Sequence, residues 1–155
     1  MSKVFKFLLS ITLPFLAGGI GSAFTTAAIP TWYANLNKPV FTPPGWVFGP
    51  AWSILYILMG IAFYLVWSKT NFKGYQTALI FFVVQLVLNA LWSILFFGLK
   101  QPLYALLEII VLWVAILLTL IPFYKIDKTA GLLLIPYLAW VTFAAILNLS
   151  IVILN

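Results

Sequence analysis

Gln85, Asn89, Trp92 and Phe96 follow one another at intervals of four, three and four residues, so on a helix they form a single stripe. Trp140, Ala144 and Asn148 make a second stripe with Leu147 beside them, and Trp52 and Tyr56 stand one turn apart. Indole and phenol rings interspersed with a few amides offer stacking surface and fixed hydrogen bonds, the means of holding a flat hydrophobic molecule. They offer little acid–base chemistry. The chain contains neither histidine nor cysteine, which removes imidazole bases, thiolate nucleophiles, disulfides and the usual side-chain ligands of zinc and haem iron. Glu108 and Asp127 are its only acids, too few for a carboxylate metal site or a proton relay. No metal is expected.

The same residues have a plainer reading. Gln85, Asn89 and Asn148 serve equally well as interhelical hydrogen-bonding groups, and Trp46 and Trp67 suit the aromatic belts at membrane interfaces. Trp92 and Trp140 lie on the order of 10 Å or more from their nearest helix ends, which is deep for anchors. Glu108 sits about a turn and a half into its segment, where it is expected to reach the headgroups or pair with Lys100.

The elements that must position these side chains follow from composition. Of 155 residues, 65% are hydrophobic, and the charges comprise eight lysines and two acids. So few charges cannot coat a water-soluble globule, and lipid must be the solvent for most of the surface. Apolar blocks at about 5–28, 46–67, 75–99, 103–124 and 130–154 each have roughly the 20 residues that a membrane-crossing helix needs. The chain is therefore read as an all-α membrane protein, a single five-helix domain over residues 1–155. Lys3 and Lys6 before an apolar run resemble a secretory signal, but the run is long enough to be a span and is expected to be retained.

The lysines are scattered between the blocks, which argues against nucleic acid and makes them topology markers. With the amino terminus inside, Lys3, Lys6, Lys69, Lys73, Lys125 and Lys128 face the cytoplasm, and only Lys38 and Lys100 lie outside. The long connection 29–45 then faces outward. Its Pro30, Pro39, Pro43 and Pro44 restrict the backbone, so the loop loses little entropy on being held in place. Trp32, Tyr33, Val40 and Phe41 give it surface to press on whatever lies below. It is expected to be a lid over a pocket in the outer half of the bundle. In the first block, Ala17, Gly18, Gly21, Ser22, Thr25 and Thr26 form a ladder of small residues suited to close helix packing.

Three patterns occur in order: WY-x2-L-x-KP-x3-PP-x-W-x-F-x3-W-x3-Y, then Q-x3-N-x2-W-x3-FF, then LLLIPYLAWVTFAAILN. Together they resemble the tryptophan-rich sensory protein family, whose mitochondrial members are called translocator protein or peripheral-type benzodiazepine receptor. The resemblance runs from about Gly18 to Asn148. It implies a multi-pass protein of a bacterial cell membrane, commonly a homodimer. It also implies a pocket that accepts porphyrins, haem and aromatic drugs. Tyr33, Trp52, Asn89, Trp92, Trp140 and Ala144 match pocket positions of the family's motifs, and Pro43, Pro44 and Trp46 match its loop motif. Relatives linked to light-dependent breakdown of protoporphyrin make Trp52 and Trp140 candidate catalytic residues, and others are described as tetrapyrrole or sterol transporters. After Asn148 the chain reads LSIVILN, without the tyrosine and basic residue of the sterol-recognition tail. Porphyrin is thus expected as ligand or substrate, not as a resident cofactor, with Lys38 near a propionate. Trp32, Tyr56, Gln85, Phe96, Leu147 and Asn148 complete the expected ligand-binding set.

Overall fold

The computed structural model describes residues 1–155 and contains helices and turns but no strand. The helices are α1 (Lys3–Ala28), α2 (Phe48–Thr70), α3 (Gln76–Ser93), α4 (Pro102–Ile126), α5 (Lys128–Leu133) and α6 (Ile135–Leu154). They supply five stretches long and apolar enough to cross a membrane. The chain is a multi-pass membrane protein with a five-helix fold.

Two local departures from regular helix occur. The last block is interrupted at Leu134, so that it comprises α5 and α6; Pro136, the second residue of α6, needs no helical partner for its missing N–H. Helix α3 ends in a π turn, Ile94–Gly98. In that turn the consecutive Phe96 and Phe97 are both buried. Pro50 falls in the first turn of α2, where a backbone N–H would have no helical acceptor.

The lysine-rich end is fastened by polar contacts. Lys6 donates from its ammonium to the Asn71 side chain, tying the start of α1 to the α2–α3 turn. Asn71 closes α2 in the left-handed region at φ 50°, a conformation that asparagine tolerates. Asp127 caps α5 by accepting from the Ala130 N–H at 3.0 Å, and its other oxygen meets the Lys69 ammonium at 2.5 Å.

Above these contacts the bundle is solid. Met59, Ala62, Val66, Phe82 and Phe123 are completely shielded, and Phe82 stacks between Phe63 at 4.4 Å and Phe123 at 5.8 Å. Lipid tails are as apolar as these side chains, so what holds helices together here is close contact. At Gly60 a Cβ would stand 2.8 Å from the Ile11 Cα, so α1 and α2 touch backbone to backbone. The ladder on α1 is only partly a packing surface. Gly18 lies against the Tyr56 ring and Gly21 against Ser93, whereas Ser22 and Thr26 remain exposed.

Glu108 neither pairs with Lys100 nor reaches the headgroup region. Its side chain is 8% exposed and both carboxyl oxygens lack a partner, because it shares the buried stripe of Ala105, Leu112 and Ala115 on α4 and faces into the bundle. The one ion pair in the protein is Lys69 with Asp127.

The Lys69 hydrogen bond is the main reason the Asp127 carboxyl titrates below its ordinary value of 3.8. A depressed pKa means that the pair adds stability above that value and loses it as the pH falls through the lowered one. Asp127→Ala, which removes both cap and pair, is expected to cost about 1–2 kcal/mol at neutral pH. Thermal unfolding in detergent should show this gap closing below about pH 4.

Candidate ligand-binding site

At the end of the bundle away from most lysines, the helices enclose a cavity of about 450 Å³, within the range of small-molecule pockets. Its walls come from α1, α2, α3 with its π turn, and α6, and residues of the connection 29–47 close it. Helix α4 contributes nothing to the wall.

Trp52, Trp92 and Trp140, from three helices, all line this space. Trp52 stacks on Tyr56 at 5.6 Å between ring centres and meets Trp140 nearly at right angles at 6.4 Å. Trp92 stacks on Phe96 at 5.2 Å. Across the cavity Tyr33, 5% exposed, sets its ring against Phe48, Phe96 and Phe97 at 5.7–6.3 Å. Aromatic faces of this kind favour a flat, polarisable guest.

Of the other expected ligand-binding residues, Trp46, Ala144, Leu147 and Asn148 also lie on the wall. Trp32, Pro43, Pro44, Gln85 and Asn89 do not. Trp32 packs on Phe96 at 5.6 Å, and Pro43 and Pro44 lead the chain into the tight turn Gly45–Val47 that enters α2.

Gln85 and Asn89 belong to a chain of hydrogen bonds beneath the cavity. Tyr56 donates its hydroxyl to Asn89 Oδ1 at 3.0 Å, and Asn89 Nδ2 donates to the Tyr137 oxygen at 3.0 Å. Tyr137 in turn donates to Gln85 Oε1 at 2.8 Å. All four side chains are buried. A second link fixes Trp92, whose Nε1–H donates to Asn148 Oδ1 at 3.2 Å while Asn148 Nδ2 donates to the Pro102 carbonyl at 2.8 Å. The amides are thus occupied in joining helices.

Lys38 is also occupied. Its ammonium donates to the carbonyls of Tyr33 at 2.8 Å, Leu36 at 3.1 Å and Ala34 at 3.4 Å, and it lies 4.9 Å from the Tyr33 ring. It clamps the lid onto itself and is absent from the cavity wall, so the expected propionate contact has no free donor there. The Tyr33 hydroxyl, by contrast, is buried without any partner. Burial pushes that phenol up to about 12, so it keeps its proton and remains a donor throughout the neutral range. No cluster of metal-ligating side chains occurs in the structure.

Sequence reasoning missed Phe15, Phe48, Phe97, Phe143 and the α1 residues Gly18, Gly19 and Ser22, all of which line the cavity. Phe48 could have been found, since it precedes Trp52 by one turn. Phe97 follows Phe96 directly but lies off the Trp92–Phe96 stripe on a regular helix.

Asn89→Ala leaves the Tyr56 donor without its acceptor and Tyr137 without one of its partners. The expected loss is about 2–4 kcal/mol of stability, read as a lowered unfolding temperature in detergent.

A family model described as the TspO/MBR family matches residues 10–154. The chain is 47% identical over 153 residues to a tryptophan-rich protein TspO of Archaeoglobus fulgidus, covering 99% of each chain. It is 41% identical over 149 residues to a tryptophan-rich sensory protein of Cereibacter sphaeroides, covering 94% of this chain and 92% of that one. The human translocator protein is 37% identical over 139 residues, 87% of this chain and 81% of its own. A match over nearly the whole length places this chain in the TspO/MBR family.

Proposed function

We propose that the protein is a membrane receptor or sensor that binds a porphyrin-type molecule, or another flat hydrophobic ligand, in the tryptophan-lined cavity beneath the lid. The observation that carries this reading is the convergence of Trp52, Trp92 and Trp140 from three helices on one space. Stacking on indole and phenol rings supplies contact without demanding a particular substituent pattern. The unpartnered Tyr33 hydroxyl supplies one donor for an acceptor on the ligand's edge, such as a carboxylate or carbonyl oxygen. The wall contains no histidine, cysteine or methionine, and Met59 lies in the solid half. A metal-free tetrapyrrole therefore suits it better than a strongly ligated haem.

Titrating the purified protein with protoporphyrin should quench its tryptophan fluorescence saturably. Tyr33→Phe keeps the ring and removes the donor, so it is expected to raise the Kd roughly fivefold, the worth of one hydrogen bond. Unchanged fluorescence in the wild type would sink the reading.

A second reading, light-driven porphyrin breakdown, is favoured by the placing of Trp52 and Trp140 side by side on the wall, 6.4 Å apart. Dioxygen would be the oxidant and the light-excited porphyrin the group oxidised, with the two indoles beside it able to carry an electron transiently and be restored. Under illumination the Trp52→Phe, Trp140→Phe double variant should give a product pattern different from that of the wild type. Identical bleaching of the two would assign the reaction to unassisted photochemistry.

A further inference from the structure

Two independent features describe how a guest reaches this cavity. The first is that the lid is fastened on the side away from α1. Asn37 donates its backbone N–H to Asn155 Oδ1 at 3.0 Å and its side-chain amide to the Leu154 carbonyl at 3.3 Å, and Asn155 Nδ2 returns a bond to the Asn37 carbonyl at 2.9 Å. This reciprocal amide pair ties the middle of the connection to the end of α6. The Lys38 clamp and the buried Tyr33 ring hold the rest of the same segment. Lifting the lid would break the amide pair and pull the Tyr33 ring from Phe48, Phe96 and Phe97 together, while the Lys38 clamp keeps the segment in one piece.

The second feature is that the wall between α1 and α2 is closed low down and open higher up. The helices touch at Gly60 and Ile11, and again where Gly18 meets Tyr56. Nearer the lid the facing residues are Gly19, Ser22 and Thr26 on α1 and Gly49 and Ser53 on α2, all lining the cavity and all exposed. A Cβ built on Gly19 or Gly49 would meet nothing within 4 Å. By contrast, a Cβ on Gly21 would come 2.9 Å from Ser93 on α3, so the opening is confined to the α2 side. Gly19 is nine residues below the end of α1, roughly 14 Å down the helix, and the opening therefore runs along the hydrocarbon-facing surface. Its rim is also made apolar. Ser22, Thr26 and Ser53 each turn their hydroxyl back onto a carbonyl of their own helix, at 2.8–3.1 Å.

We infer that the lid is a fixed roof latched by Asn37 and Asn155, and that ligand enters and leaves sideways through the slot between α1 and α2. This inference rests on the binding function proposed above and narrows its ligand to molecules already dissolved in the bilayer. A guest arriving from lipid sheds no water shell at the slot and meets no free hydroxyl on the way in. A guest arriving from water would have to undo the latch.

The absence of cysteine from the chain makes the test clean. Asn37→Cys and Asn155→Cys are introduced together, joined by a short thiol-to-thiol bridge, and the bridge is verified by mass spectrometry. In a separate variant Gly19→Leu and Gly49→Leu fill the slot, with Gly19→Ala and Gly49→Ala as the control for backbone effects. Each protein is reconstituted in phosphatidylcholine vesicles, and protoporphyrin pre-dissolved in the same lipid is mixed in by stopped flow while tryptophan quenching is followed. The bridged lid should keep association and dissociation within about twofold of the wild type, whereas the leucine variant should slow both by roughly tenfold or more. Loss of association on bridging, restored by cleaving the bridge, would overturn the inference. So would wild-type rates in the leucine variant. Equilibrium quenching separates the two proposals: no quenching in the wild type rejects the binding function and the slot with it, whereas normal quenching with lid-dependent rates rejects the slot alone.

Discussion

The hydrogen-bonded array of Tyr56, Asn89, Tyr137 and Gln85 is the feature on which the rest of the structure depends. It joins α2, α3 and α6 in a medium where apolar contact between helices has no advantage over apolar contact with lipid. Each member would be costly to leave unpaired in hydrocarbon, so the array fixes the distance and rotation of three helices at once. It also divides the bundle. Toward the lysine-rich end, stacked phenylalanines fill the space completely; toward the lid, the same three helices are held apart and their indoles face a hollow.

A hollow in a membrane protein must be kept from collapsing and screened from the water beyond the bilayer. Rigid rings help with the first, since Trp52 on Tyr56 and Trp92 on Phe96 are stacked pairs with few torsions to relax, and Trp92 is further tied through Asn148 to the first residue of α4. The proline-rich connection serves the second. Its restricted backbone, its self-directed lysine and its amide pair with α6 make an ordered cover out of a segment that on length alone would be expected to be mobile. The four prolines and the single charge between the first two spans thus serve to order this cover.

Much of this was legible in the sequence. Block lengths gave the five spans, and the stripes on the third and fifth blocks gave the facing sides of the helices, because helical period is a property of the chain itself. What a sequence cannot express is which of two neighbouring polar roles a side chain fills. Gln85 and Asn89 lie on the same stripe as Trp92, yet depth places them below the cavity and in hydrogen bonds to tyrosines on other helices. Lys38 and Glu108 departed from expectation for a related reason. A lysine flexible enough to reach a ligand is flexible enough to reach its own loop carbonyls, and an acid near a helix end turns inward when its stripe does. The π turn after Ser93, which holds Phe96 and Phe97, left no sequence signal.

The central claim is that aromatic walls from separate spans form one ligand site under a fixed roof. The most direct measurement is a structure of the protein in lipid with protoporphyrin bound. The account expects the macrocycle between Trp52, Trp92 and Trp140 below residues 29–45, with an oxygen of the ligand against the Tyr33 hydroxyl. A porphyrin lying on the outer surface of the helices, or at the lysine-rich end with the cavity unchanged, would contradict it.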